Sequence, residues 1–236
     1  MLKTFFFIAL VLIILLAALQ YWLRNVWFYR DPVRRPPNPT GKILSPADGI
    51  VIYLRPFRDG TVDSEKLGER IPITELSKVP RGAGGDGWII GVYMSPLDVH
   101  FNYAPVSGQA EAIIHTQAKV NLPMVDLWEY VKLTYLRRAV DLFSHRFRLI
   151  NERNTIILTG EAPTIAMVEI ADKFVNKITC FVETGQEVQA GQKVSFIERG
   201  SQVDLIIFDP QVRFLVKTGD RVIGAQTVLA EYGKAK

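Results

Sequence analysis

Val182-Glu183-Thr184-Gly185-Gln186-Glu187-Val188-Gln189-Ala190-Gly191 is echoed 34 positions later by Val216-Lys217-Thr218-Gly219-Asp220-Arg221-Val222-Ile223-Gly224. Each copy sets a Thr-Gly pair ahead of two polar residues and a valine, which reads as a tight turn feeding a short apolar strand, with glycine supplying the positive φ. Two copies are too few for a solenoid, so the reading is a compact β-sandwich. Working outward, Ile43-Leu44, Gly49 to Leu54, Trp88 to Met94, Gln109 to His115, Thr155 to Leu158 and Ile165 to Ile170 are short β-rich runs punctuated by Gly, Pro and Asp. They predict a mostly antiparallel β fold. From about Pro123 to Phe147, Trp128, Val131, Tyr135, Ala139 and Leu142 recur near the helical period, predicting one helix or two. Arg58 to Asp86, with its Asp59-Gly60 turn and Gly82 to Gly85 run, reads as a long mobile loop able to sit over a site.

The paired turns resemble the hairpins of biotinyl/lipoyl-like barrel-sandwich domains, which makes the expected class mainly β with a minor α component. Ahead of that body, Phe5 to Leu23 is apolar except for Gln20. As a helix it would span roughly 28 Å, enough to cross a bilayer. A cleaved signal peptide has a shorter apolar region and a small-residue cleavage site, which Ala17-Ala18-Leu19-Gln20 matches poorly. Tyr21, Trp22, Trp27, Phe28 and Tyr29 suit the membrane interface, and Arg24, Arg30, Arg34 and Arg35 outweigh Lys3, placing the body in the cytoplasm of a single-pass membrane protein. The expected organisation is an anchor over 1–27, a proline-rich extended linker over 28–40 and one folded domain over 41–236.

Composition narrows the chemistry. The 236 residues are 48% hydrophobic, enough for a packed core. A single cysteine, Cys180, excludes an internal disulfide framework, and three histidines give a dedicated zinc site too few ligands, so no metal is expected. The net charge of +4 suits anionic headgroups and nucleic acid equally well. The apolar amino terminus decides for the membrane and against nucleic acid.

Three features can carry chemistry: Asp48 in Ser45-Pro46-Ala47-Asp48-Gly49, His100 in Met94-Ser95-Pro96-Leu97-Asp98-Val99-His100-Phe101-Asn102, and Ser201 in Arg199-Gly200-Ser201-Gln202-Val203-Asp204. Taken singly, Asp48 reads as a turn residue capping local amides, His100 as a satisfied structural group and Gly200-Ser201 as a turn. Together they can supply a nucleophile, its base and the group that orients the base. His115 and His145 fall outside these motifs and read as structural or surface residues.

Phe28-Tyr29-Arg30-Asp31-Pro32, Ser45 to Gly49, Met94 to His100, Asn151-Glu152-Arg153-Asn154 and Gly200-Ser201 occur in the order seen in phosphatidylserine decarboxylases. Past the anchor, the chain resembles the short form of that family, which includes archaetidylserine decarboxylases. The resemblance implies self-cleavage between Gly200 and Ser201 into a β chain, 1–200, and an α chain, 201–236, that stay together as a heterodimer, with further dimerisation left open. Ser201 would attack the Gly200 carbonyl, His100 oriented by Asp48 would take the proton, and Ser201 would become a pyruvoyl group. That cofactor would decarboxylate a serine phospholipid, phosphatidylserine or its archaeal ether counterpart, by serving as an electron sink. Two positions depart from relatives: Tyr103 stands where long-form bacterial members carry a second histidine, and Arg199 where Phe is common. A noncatalytic membrane-anchored adaptor is the alternative reading. A biotinyl or lipoyl carrier would need a lysine between methionines, for which Lys173 is a poor substitute.

Overall fold

The computed structural model describes residues 2–64, 69–79, 85–173, 178–198 and 201–233. In chain order its strands are β1 (Lys42–Leu44), β2 (Gly49–Phe57), β3 (Thr61–Ser64), β4 (Glu69–Pro72), β5 (Gly87–Met94), β6 (Phe101–Tyr103), β7 (Gly108–Thr116), β8 (Arg153–Thr159), β9 (Ile165–Ala171), β10 (Ile178–Cys180), β11 (Glu187–Val188), β12 (Lys193–Ile197), β13 (Ser201–Ile207), β14 (Arg213–Phe214), β15 (Arg221–Val222) and β16 (Val228–Glu231). The helices are α1 (Leu2–Trp22), α2 (Ile73–Ser77), α3 (Leu127–Thr134) and α4 (Phe147–Ile150).

Eight strands form one curled sheet in the order β11-β7-β8-β9-β13-β5-β2-β15. β13 lies at its centre and pairs antiparallel with β5 on one side and β9 on the other, Ser201 facing Met94 and Ala171. Because side chains alternate along a strand, Ser201, Val203, Leu205 and Ile207 point to one face and Gln202, Asp204 and Ile206 to the other. Both faces are buried, which is why β13 does not read as amphipathic. The first face packs on two three-stranded sheets, β1-β16-β14 and β10-β12-β6, through Ile43, Val194, Ile197 and Leu229. The second packs on the β3-β4 hairpin and the helical segments through Val62, Ile71, Leu76, Leu133 and Phe147. The result is the mainly β, barrel-sandwich-like body that the sequence predicts.

The sequence echo is part of a larger internal symmetry. Val188 pairs with Gly108 and Val222 pairs with Gly49. Gly185 N–H donates to Ala110 O at 2.7 Å, and Gly219 N–H donates to Val51 O at 2.8 Å. The two halves interlock: Leu44 N–H donates to Pro105 O and Tyr103 N–H donates to Pro46 O, each at 2.8 Å. Gly49 and Gly108 occupy matching places because a Cβ there would lie 2.1 Å from Tyr93 O and 2.3 Å from Thr159 O respectively. No side chain fits at either position.

Two expectations need correction. The segment read as a mobile loop over 58–86 contains the β3-β4 hairpin and α2, whose Val62, Ile71, Ile73 and Leu76 are core residues; positions 65–68 and 80–84 lie outside the described residues. The helical reading of 123–147 survives only in α3. There Asp126 and Glu129 form a capping box at the start, and the chain turns away at Arg137, whose φ is +50°. The proline-rich linker is extended but not free, since Arg34 and Pro36 pack on the body. Lys3–Trp27 is long and apolar enough to cross a membrane, and none of it is buried.

Candidate active site

Ser201 opens β13 with its side chain fully buried, and its hydroxyl contacts the Met94 thioether at 3.3 Å. A thioether is a weak acceptor, so this hydroxyl has no strong partner among the described residues. Gly200 and Arg199, the other members of the predicted cleavage motif, lie outside the described residues.

The loop after β5 delivers His100. Asp98 closes it by accepting from Ser95 N–H at 2.9 Å, from Ser95 Oγ at 2.6 Å and from Arg137 Nη1 at 3.1 Å. This turn aims the Asp98 carbonyl at His100 Nδ1, 3.0 Å away. A carbonyl can only accept, so Nδ1 carries the proton and Nε2 presents a lone pair. Nε2 is buried and unpartnered among the described residues. Burial lowers the imidazole pKa to about 4, so His100 is a neutral base near pH 7. The Phe28 ring, delivered from the end of the amino-terminal apolar helix, covers it at a centroid distance of 4.1 Å. The ladder beyond β6 continues to His100, whose carbonyl accepts from Ile197 N–H at 3.2 Å. Ile197 and Ser201 are four residues apart, so at most roughly 14 Å of chain joins the imidazole strand to the hydroxyl.

Asp48, predicted to orient His100, makes no hydrogen bond to it. Its carboxylate takes Arg34 Nη2 at 2.9 and 2.8 Å and accepts from Gly224 N–H at 2.8 Å. The internal symmetry explains this. Ser107 stands at the matching place in the other half, and its Oγ accepts from Ala190 N–H at 3.0 Å. Both side chains cap the turn of an echo, and the Asp98 backbone carbonyl does the orienting instead. His115 and His145 pair with Glu152 at 3.2 Å and Glu129 at 3.6 Å.

Two polar groups that sequence reasoning passed over flank Ser201. On the Ser201 face, Glu169 is opposite Val203, one pleat from Ala171. Fully buried, it accepts from Asn154 Nδ2 at 2.8 Å, from Asn102 Nδ2 at 3.1 Å and from the Ser195 hydroxyl. Burial raises its pKa to about 7 against the lowering effect of these donors. On the opposite face, Asp204 accepts from Arg148 Nη2 at 2.9 Å, Tyr53 Oη at 2.5 Å and Gln202 Nε2 at 2.7 Å. Gly91 leaves room for this, since a Cβ there would sit 2.4 Å from the Tyr53 ring.

A cavity of about 650 Å³ opens beside the loop, lined by Leu23 and Arg24 at the end of the amino-terminal apolar helix, Phe28, Leu97, Leu127 and Tyr130 among others. Phe28 is thus shared between the cavity wall and the cover of His100. Trp27 and Arg30 fasten this corner, both donating to Leu97 O, Arg30 at 2.7 Å.

Comparison with known proteins gives the class of the chain. The family described as phosphatidylserine decarboxylase matches residues 23–230. The chain is 30% identical over 215 residues to a protein of Methanocaldococcus jannaschii named as an archaetidylserine decarboxylase proenzyme, covering 91% of this chain and 93% of the relative. It is 29% identical over 212 residues to a phosphatidylserine decarboxylase proenzyme of Pelobacter propionicus, covering 89% and 78%. The protein is an enzyme of the carboxy-lyase class. It belongs to the phosphatidylserine decarboxylase family, and the adaptor alternative is set aside.

Proposed function

We propose that this chain is a membrane-anchored proenzyme that cuts itself between Gly200 and Ser201 and then decarboxylates a serine phospholipid to its ethanolamine counterpart. The observation that carries the reading is the pairing of a buried Ser201 hydroxyl lacking a strong acceptor with a buried His100 Nε2 lacking any described partner. In maturation, His100 Nε2 takes the Ser201 proton as Oγ adds to the Gly200 carbonyl, and the peptide nitrogen leaves to give an ester. Loss of the Ser201 α-proton then expels a carboxylate at Gly200. The dehydroalanine that remains takes up water and releases ammonia, leaving a pyruvoyl group at position 201.

The site fits that group, because position 201 is enclosed and its contact, Met94, does not compete as a hydrogen-bond donor. A pyruvoyl group supplies an electron sink for the breaking carbon–carboxylate bond. The chain's own residues do the rest. β5 and β9 hold position 201 from both flanks, His100 is available to return a proton to carbon, and Phe28 keeps water from the imidazole. A lipid can approach from the bilayer through the cavity beneath the anchor, where Arg24 offers charge to the phosphate. The segment over 1–27 acts as the anchor and the arginines after it favour a cytoplasmic body.

Intact-mass measurement of the purified full chain tests the reading. Two fragments of 200 and 36 residues are expected, the smaller reducible by borohydride, with Ser201→Ala giving one uncut chain. Labelled CO₂ release should follow from serine phospholipids, with ester-tailed and ether-tailed forms compared. An uncut wild-type chain overturns the proposal.

A further inference from the structure

On the Ser201 side of the sheet a second polar atom lacks a partner. Asn102 is fully buried, and its Nδ2 donates both to Glu169 Oε1 and to Ser195 Oγ, each at 3.1 Å. Amide nitrogen and oxygen are easily interchanged in a structure, but here the assignment follows from chemistry. Glu169 and its partners leave the Asn102 amide facing an acceptor, so the nitrogen points to the carboxylate and Oδ1 points away. That oxygen is buried with no partner among the described residues. The alternation of β6 sets Asn102 on the same side of its ladder as His100, and Glu169 links it to the face of the central sheet that carries Ser201. An orphan acceptor, an orphan imidazole nitrogen and a weakly held hydroxyl therefore lie on facing sides of the two packed ladders.

We propose that Asn102, fixed by Glu169, receives the amine of the serine headgroup and is a specificity-determining residue of the site. The inference rests on the decarboxylase reading above and names the part of the substrate that this corner binds. The chemistry favours an amide in this place. A carboxylate in direct contact would hold the amine as an ammonium ion, which cannot attack a carbonyl. An amide oxygen orients the amine through one of its N–H groups, and the Glu169 carboxyl stands one hydrogen bond further back, its ionised form attracting the cation without clamping its proton. A lipid whose headgroup amine is trimethylated has no N–H or O–H to donate to Oδ1.

The test uses the full chain in detergent with short-chain serine phospholipid. Asn102→Ala should still cut at position 200, while its KM rises roughly 10- to 100-fold, the loss of a hydrogen bond to a charged group, with a smaller change in kcat. Wild type should be inhibited better by an ethanolamine lipid than by the matching trimethylated-amine lipid, and Asn102→Ala should be inhibited equally by both. Asn102→Ser, which keeps an oxygen in a smaller side chain, is read in the same way if the alanine variant fails to mature. An unchanged KM with the inhibitor preference intact overturns the proposal, as does failure of both variants to cut, which would assign Asn102 to maturation or folding. Absence of CO₂ release from a wild-type chain overturns the parent reading instead, and this one with it.

Discussion

The Phe28 ring lies 4.1 Å from the His100 imidazole, so a residue just past the amino-terminal apolar helix is also the cover of the imidazole. Burial is the main cause of the low His100 pKa of about 4. Phe28→Ala should admit water and raise that value toward the ordinary 6.5, which titration of the imidazole ring protons by NMR would reveal. The sign follows from the neutral form being the one that burial favours. Activity at pH 5 to 6 should fall in the variant, because more of the base is protonated there.

Asp48 should behave as a structural residue. Its partners are Arg34 and a turn amide, not the imidazole. Asp48→Ala should lower unfolding stability by about 1–3 kcal/mol through the unpaired Arg34 and the uncapped turn, measured by urea denaturation. Cleavage should be slowed far less than in His100→Ala, and the imidazole titration should not move. A cleavage block equal to that of His100→Ala would restore Asp48 to the reacting groups.

The Arg148–Asp204 pair is buried on both sides. Asp204→Ala strands a guanidinium in the core, and a loss of about 3–5 kcal/mol is expected, enough to bring thermal unfolding well below that of the parent. Replacing both partners with apolar residues of similar volume should recover most of it, as a double-mutant comparison would show.

Glu169 gives a pH dependence of stability with a definite direction. Its folded-state pKa of about 7 lies above the ordinary 4.5, so the folded chain holds this proton more tightly than the unfolded one. The contribution is complete below about pH 4.5 and is lost as pH rises through 7, roughly 3 kcal/mol in all. Glu169→Gln cannot ionise. Its stability relative to wild type, from urea denaturation, should therefore improve by about that amount between pH 4.5 and pH 8.

Much of this was legible in the sequence, and the reasons for the remainder are physical. The runs that became β2, β5, β7, β8 and β9 announced themselves through β-branched residues between turn formers, and the Thr-Gly echo marked the two turns that dock on β7 and β2. Asn102 and Asn154 sat inside recognised blocks, yet their purpose depends on Glu169, which reads as an interruption in Ile165 to Ile170 until three strands converge on it. Asp48 reads as part of a triad through the family resemblance, while its likeness to Ser107 as a turn cap stays hidden because the match between Pro46 to Gly49 and Pro105 to Gly108 is too short to see without the fold. Arg137 and Arg148 reach Asp98 and Asp204 across 39 and 56 positions. No local periodicity encodes pairings of that range.

The central place of β13 has a consequence for the molecularity of folding. A break just ahead of it leaves residues 201–207 laddered to β5 and β9 and moored by Asp204, so native protein keeps its shape. Once a cut molecule is unfolded, however, the strand becomes a separate solute that must be recaptured from solution. Refolding would then slow in proportion to dilution, whereas the uncut precursor would recover at a rate indifferent to concentration.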